Sequence, residues 1–326
     1  MPAHCIRRAL VPLLLLLLLV VLAAATPGCG PGANAFEFVD ADGDLVCDTP
    51  TDPAKLIDPD TLVFAYTPLE DPATYEALFK DFLAHIEKVT GKKVRFFTVT
   101  DNAAQLEAMR SGHLHVTGFN TGSVPIAVNQ CGFVPFGMMA EPDGSWGYQM
   151  ELMVSAKSDI QSVNDLRGHT VAFTQLSSNS GYKVPSLLLR DAAGIDVEKD
   201  LKVVFSGGHD KSILGVSHGD YEAAPVAGDV LRRMVFMKQL PANSYRTIFK
   251  SEVFPTTGFG YVYNLVPALQ AKIREAFFSY EWDAAMLDAF RPNGYTKFIP
   301  ITYKEHWERP RKIDAALGVT YGPKGK

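Results

Sequence analysis

The sequence predicts an α/β protein of two lobes, each a mostly parallel sheet with flanking helices, with a cleft between them. Three observations carry that expectation. Strand-like and helix-like segments alternate from Thr61 onward, the order that builds parallel sheets. The segment beginning at Val94 aligns without a gap on the one beginning at Leu201. Two apolar strands, Gln149 to Ala156 and Phe259 to Asn264, flank the second copy and can carry the chain out to one lobe and back to the other.

The first unit starts with Thr61 to Tyr66, an apolar run of strand length. Tyr75, Leu78, Phe79, Phe82 and Ile86 then recur at helical spacing between Ala73 and Thr90, and Gly91 ends the helix. Val94 to Val99 reads as a second strand, Ala103 to Arg110 as a helix closed by Gly112, and His115 to Phe119 as a third strand. In the second copy Gly112 falls on Gly219, Leu106 on Ile213, Met109 on Val216, Leu114 on Tyr221 and Val116 on Ala223. A helix from Pro267 to Trp282 follows. The expected organisation is a leader at 1–25, an irregular acidic lead-in at 26–59, lobe one at 60–150 and 258–326, and lobe two at 151–257. Such a twice-crossed hinge lets the cleft close on a ligand.

The beginning of the chain bears on compartment. Arg7 and Arg8 precede an apolar run from Leu10 to Leu22, which ends in Ala23-Ala24-Ala25. This is the layout of a secretory signal peptide cut after Ala25, and the run is shorter than the roughly 20 residues of a membrane span. Thr26 and Pro27 stand where a lipidation signal before Cys29 wants an aliphatic and a small residue, so no lipid anchor is expected. Cys5-Ile6 ahead of the arginine pair speaks against twin-arginine export. No later segment is apolar enough to cross a membrane. A net charge of −5 without any long basic run argues against nucleic acid as a partner. Of the four cysteines one leaves with the leader. Cys29 and Cys47 can bridge in an oxidising compartment, which leaves Cys131 odd.

In a parallel sheet, ligands collect where strands open into helices. Four such loops are rich in small hydroxyl residues and glycine: Tyr66 to Pro68, Gly118 to Ser123, Ser177 to Tyr182, and Ser206 to Asp210. Each alone reads as an ordinary helix cap. Together, at equivalent places, they read as an oxyanion site built from hydroxyls, side-chain amides and unpaired backbone N–H groups. His209 adds a donor, or is a capping residue. There is no nucleophile elbow, zinc-ligand spacing or phosphate-binding P-loop, so a binding protein without cofactor or catalytic residues is expected over a secreted enzyme. Outside the cleft, Asp40, Asp42, Asp44 and Asp48 are spaced as in calcium loops but lack the terminal Glu. A solvated acidic linker is the competing reading.

The stretches "SSNSGYKVPSLLL", "VVFSGGHDKSILGVSHGDYEAAPVAGDV", "LEAMRSGHLHVTGFNTGS" and "FIPITYKEHW" carry a resemblance. They look like the phosphate/phosphite/phosphonate-binding proteins of ABC transporters, from Thr61 to Trp307. The resemblance implies the two-lobed periplasmic binding protein fold, a monomer, a small phosphorus oxyanion as ligand and an inner-membrane ABC permease as partner. It also implies that Ser178, Asn179 and Ser180 hold the phosphoryl oxygens with His209, and that Tyr66-Thr67 and Thr121-Gly122 supply the facing loops. Asp229 aligns with an acidic residue that meets the amine of aminophosphonates. Two positions depart from the pattern: Asn179 replaces a hydroxyl, and Thr121-Gly122 stands where many members have an aromatic. A related periplasmic arsenite sensor, which works with a sensor kinase, uses a cysteine for As(III). A thiolate suits that soft centre, which makes Cys131 either a cleft ligand or a core residue.

Overall fold

The computed structural model describes residues 36–70 and 73–321. The expected leader, including Arg7, Arg8 and the run before Ala25, lies outside them, as does Cys29. Among the described residues no helix is long and apolar enough to cross a membrane.

The strands fall into two sheets. The first contains β1 (Thr61–Tyr66), β2 (Lys93–Phe96), β3 (Val116–Phe119), β4 (Phe133–Ala140), β10 (Gly258–Val262) and β11 (Lys297–Pro300), in the order β11-β4-β10-β3-β1-β2. The second contains β5 (Tyr148–Ser155), β6 (Thr170–Phe173), β7 (Lys202–Phe205), β8 (Ala223–Ala227) and β9 (Tyr245–Phe254), in the order β7-β6-β8-β5-β9. In each, three strands of a βαβαβ unit run parallel: β2-β1-β3 and β7-β6-β8. The remaining pairings are antiparallel. The sheets are therefore mixed rather than mostly parallel. The physical reason lies in the crossings: β5 enters lobe two and β10 re-enters lobe one, each lying antiparallel to the last strand of the βαβαβ unit.

The helices are α1 (Ala73–Leu78), α2 (Lys80–Thr90), α3 (Asn102–Arg110), α4 (Val124–Cys131), α5 (Val184–Ala193), α6 (Val197–Asp200), α7 (His209–His218), α8 (Gly228–Phe236), α9 (Pro267–Ser279), α10 (Ala284–Phe290), α11 (Tyr303–His306) and α12 (Glu308–Ala316). The predicted single helix from Ala73 breaks at Phe79, whose ring is fully buried 4.9 Å from that of Tyr66. The internal repeat is visible in three dimensions. α3 and α7 both run into glycines with left-handed backbone, Gly112 at φ 76° and Gly219 at φ 89°, a conformation that costs glycine nothing. β3 and β8 follow in matching positions, whereas β7 starts two residues later than the alignment places it.

Lobe one has an aromatic core, in which Phe64, Phe82, Phe136, Phe259 and Phe277 are fully buried. Lobe two is filled mainly by aliphatic side chains such as Leu152, Val171, Ile213 and Val226. The end of the chain serves both. Trp307 is buried in the first core, and Ile313, on the next helix α12, in the second. The lobes are thus joined by β4–β5, by β9–β10, and a third time through α12.

In the lead-in, the carboxylates of Asp40, Asp42 and Asp44 converge within 4.8 Å. Asp48 is turned to the N–H of Ala41 at 2.8 Å. Burial, together with the neighbouring carboxylates, raises the Asp44 carboxyl above its ordinary range. Cys47 is buried with its Sγ 3.7 Å from Glu37 O, and it has no disulfide partner among the described residues; its expected partner, Cys29, lies outside them.

Candidate ligand-binding site

A narrow cleft lies between the lobes. Lobe one lines it with Leu69, Asn120 and Thr121, and the returning crossing adds Thr256 and Thr257. Lobe two contributes Tyr148, Ser178, Asn179, Ser180, His209 and Asp229. No lysine or arginine is among the lining residues.

The Ser178 loop is built to offer donors. After β6 the chain enters one π-type turn, Asn179–Lys183, which leads directly into α5. Ser178 caps it: its Oγ accepts from Gly181 N at 3.0 Å. The hydroxyl hydrogen stays available, and so do the first N–H groups of the turn. Asn179 donates from Nδ2 to the Tyr148 hydroxyl at 3.2 Å, while its Oδ1 is buried without a partner. The Thr256 hydroxyl is likewise buried and unpartnered.

His209 opens α7 and is 3% exposed. Its Nδ1 accepts from Ala227 N at 3.1 Å, so the proton of the neutral ring sits on Nε2. Burial lowers its pKa to about 4, which keeps the ring an uncharged donor at neutral pH. Asp229 stands in the first turn of α8, where its carboxyl is raised by burial and held back by the Arg232 guanidinium.

Thr121 is at the cleft, but its hydroxyl is committed, donating to Pro255 O at 2.6 Å. Gly122 abuts lobe two so closely that a Cβ would lie 2.1 Å from Ser177 O and 2.6 Å from Asn179 N. Only glycine permits that approach. Tyr66 and Thr67 lie behind the wall. The Tyr66 ring stacks on Phe259 at 5.8 Å and its hydroxyl meets Thr257 Oγ1 at 3.2 Å. Thr67 donates to Asn102 Oδ1 at 3.2 Å and accepts from Asn120 Nδ2 at 3.4 Å, which steadies Asn120 at the cleft.

Cys131 is not brought to the cleft. It sits at the end of α4 in the lobe-one core, 4% exposed, donating to Leu106 O at 3.4 Å. Burial pushes its thiol up to about 12, so it is no thiolate at neutral pH. The eight-residue α4 carries the thiol away from the Thr121 loop and onto α3, which corrects the expectation of a cleft ligand. Sequence reasoning missed Tyr148, Thr256 and Thr257. They flank the two segments read as crossings, and a crossing between lobes has to pass the floor of the cleft.

Two α/β lobes joined by crossing strands, with donors from both converging between them, define a solute-binding protein of the two-lobed periplasmic type. The chain belongs to the periplasmic substrate-binding proteins of ABC phosphonate transporters, whose family model matches residues 64–307. Among curated proteins it is 27% identical over 230 residues to the phosphate-import protein PhnD of Mycolicibacterium smegmatis, covering 67% of this chain and 71% of that one. It is 25% identical over 223 residues to the phosphonates-binding periplasmic protein of Escherichia coli, covering 67% and 66%. The fold is shared with PhnD1 from Prochlorococcus marinus, solved with methylphosphonate. There the TM-score is 0.70 and the identity 15%, covering 81% of this chain and all of that one.

Proposed function

We propose that this protein captures a small phosphorus oxyanion, a phosphonate, phosphite or phosphate, in the periplasm and delivers it to an inner-membrane ABC permease. It acts without chemistry, as a monomer, after export directed by the leader at 1–25. The observation that carries this reading is a cleft of uncharged donors with one carboxylate and no cationic side chain. Hydroxyls, the Nε2–H of His209 and the first N–H groups of the turn after Ser178 suit the three oxygens of a phosphoryl group. Asp229 would repel a ligand that is anionic on every side. It favours one whose far end carries an amine or a protonated oxygen, so an aminoalkylphosphonate fits this arrangement best. The relatives named for phosphate and phosphonates support the class. The arsenite reading loses its thiol, since Cys131 is in the core.

Calorimetric titration with phosphate, phosphite, methylphosphonate, aminoethylphosphonate and arsenite tests the proposal. We expect phosphorus ligands to bind and to be recovered unchanged by phosphorus NMR, and arsenite not to bind. Replacing Ser178 and Ser180 together by Ala should weaken binding by about 2–3 kcal/mol, at ~1 kcal/mol or more per hydrogen bond. Loss of the Ser178 cap should also cost about 1 kcal/mol of stability, so Ser180→Ala alone is the cleaner variant. Undiminished affinity in both variants would reject the assignment.

A further inference from the structure

A lysine stands just behind the ligand loop, although none lines the cleft. Lys183 closes the π-type turn that begins at Asn179, and it is 4% exposed. Its N–H donates to Ser178 O at 3.0 Å. Its ammonium reaches Asp314 on α12 at 2.7 Å and donates to Gly122 O at 2.8 Å. Asp314 is 1% exposed and accepts from the Tyr321 hydroxyl at 2.6 Å. Burial lowers the lysine pKa, and the Asp314 carboxylate opposes that.

The neighbouring carbonyl is tethered as well: Trp307 Nε1 donates to Thr121 O at 2.9 Å. Two consecutive peptide planes of the lobe-one loop are therefore pinned by their oxygens to buried donors. In a trans peptide the N–H points opposite to the C=O. Pinning Thr121 O towards Trp307 thus turns the Gly122 N–H the other way, and the Ser123 N–H is held by Asn120. A free loop could flip either peptide and point a carbonyl at an anion. This one is restrained from doing so. Because Gly122 packs directly on the backbone at Ser177 to Asn179, a small shift of its peptide moves the donors of lobe two also.

We propose that Lys183, oriented by Asp314, is a positioning residue for the oxyanion site, and that α12 is thereby part of the binding machinery. Lys183 does not touch the ligand. It holds the Gly122 carbonyl on its own ammonium, so that this oxygen is not offered to an anion, and Asp314 cancels its charge so that the cleft gains no cation. Stability alone does not call for such a pair, since buried ion pairs are often matched by apolar side chains. The inference rests on the oxyanion reading of the cleft.

The test uses Lys183→Met, Asp314→Asn and the double variant Lys183→Met/Asp314→Leu, each titrated with methylphosphonate and inorganic phosphate. Melting and amide hydrogen exchange of the ligand-free proteins are read alongside. Lys183→Met should bind on the order of tenfold more weakly. Asp314→Asn keeps the donor to Gly122 O and should stay within a few-fold of the parent. The double variant removes the unpaired buried charge and should recover much of the melting temperature. Its affinity should stay low, and its amides from Thr121 to Ser123 should exchange faster. A double variant with parental melting, affinity and exchange would overturn the proposal, leaving Lys183 as a counter-ion for Asp314 only. If the double variant does not fold, equal losses of affinity in the two single variants would overturn it too. A parent protein that binds neither probe would refute the oxyanion reading, and the exchange measurement would still decide the role of Lys183.

Discussion

His209 lines the cleft as a buried, uncharged donor. Accepting from Ala227 N, it must keep its proton on Nε2, and burial holds its pKa at about 4. The unfolded-state value is about 6.5. The folded pKa is the lower one, so between these values the unfolded chain binds more protons and stability falls as pH drops from about 6.5 towards 4. The full effect is about 3 kcal/mol, at 1.36 kcal/mol per unit. Thermal melts of the parent and of His209→Gln across this range should converge as the pH falls, because the variant lacks this contribution to the pH dependence. Parallel curves would mean that the ring is already charged in the folded protein. Ligand affinity should owe nothing to His209 titration between pH 6.5 and 8, since the ring stays neutral throughout.

At the scale of elements, the loop after β1 and the helix α8 meet across the cleft. Glu70, from lobe one, pairs with Arg233, from lobe two, and the pair is nearly buried, at 12% and 10% side-chain exposure. Tyr75 adds its hydroxyl at 3.4 Å from the Glu70 carboxylate, and the guanidinium lies 6.0 Å over the Tyr75 ring. Opening the lobes would return both charges to water, so the pair is expected to act as a latch. Arg233→Met leaves the nearly buried Glu70 carboxylate with the Tyr75 hydroxyl but without its cation, which is strongly unfavourable. Stopped-flow measurements should show ligand dissociation faster by about 10- to 100-fold, with the association rate changed much less. Unchanged dissociation would mean that the pair contributes nothing to closure. Hydrogen bonds from His209 N to Leu69 O at 3.2 Å and from Asn102 Nδ2 to Ser177 Oγ at 3.1 Å tie the same two faces together.

For the whole molecule, residues of both lobes line one cleft, so a ligand held there is expected to favour the closed arrangement. Donors from lobe one and lobe two are far less useful apart than together. A ligand that binds only the closed form should shrink the radius of gyration in solution scattering. It should also raise stability by about 2.7 kcal/mol at a hundred times its Kd. Superimposable scattering curves with and without bound phosphonate would rule out a hinge motion. The third connection through α12 restricts how far the lobes can separate, because Trp307 and Ile313 anchor one short segment in both cores.

The division between sequence and tertiary structure follows from what each kind of signal measures. Apolar periodicity reports which face of an element is buried, and that suffices for β1, α3, β3 and the repeat that relates them to the second lobe. Loop composition also pointed to the stretches at Ser178 to Ser180 and at His209, which line the cleft, because caps and hydroxyls at strand ends are local features. Periodicity does not say what an element packs against. Strand direction was decided by the crossings, so the sheets came out mixed. The position of Cys131 was decided by the packing of α4 on α3, and the role of Thr121 by a carbonyl more than a hundred positions away, at Pro255. Tyr66 and Tyr148 are both aromatic and both adjacent to the cleft region. Only the docking of two lobes determines that Tyr66 is sealed behind Thr257 while Tyr148 lines the cleft. A binding cleft between lobes is a property of their relative placement, and no local pattern within either lobe encodes it.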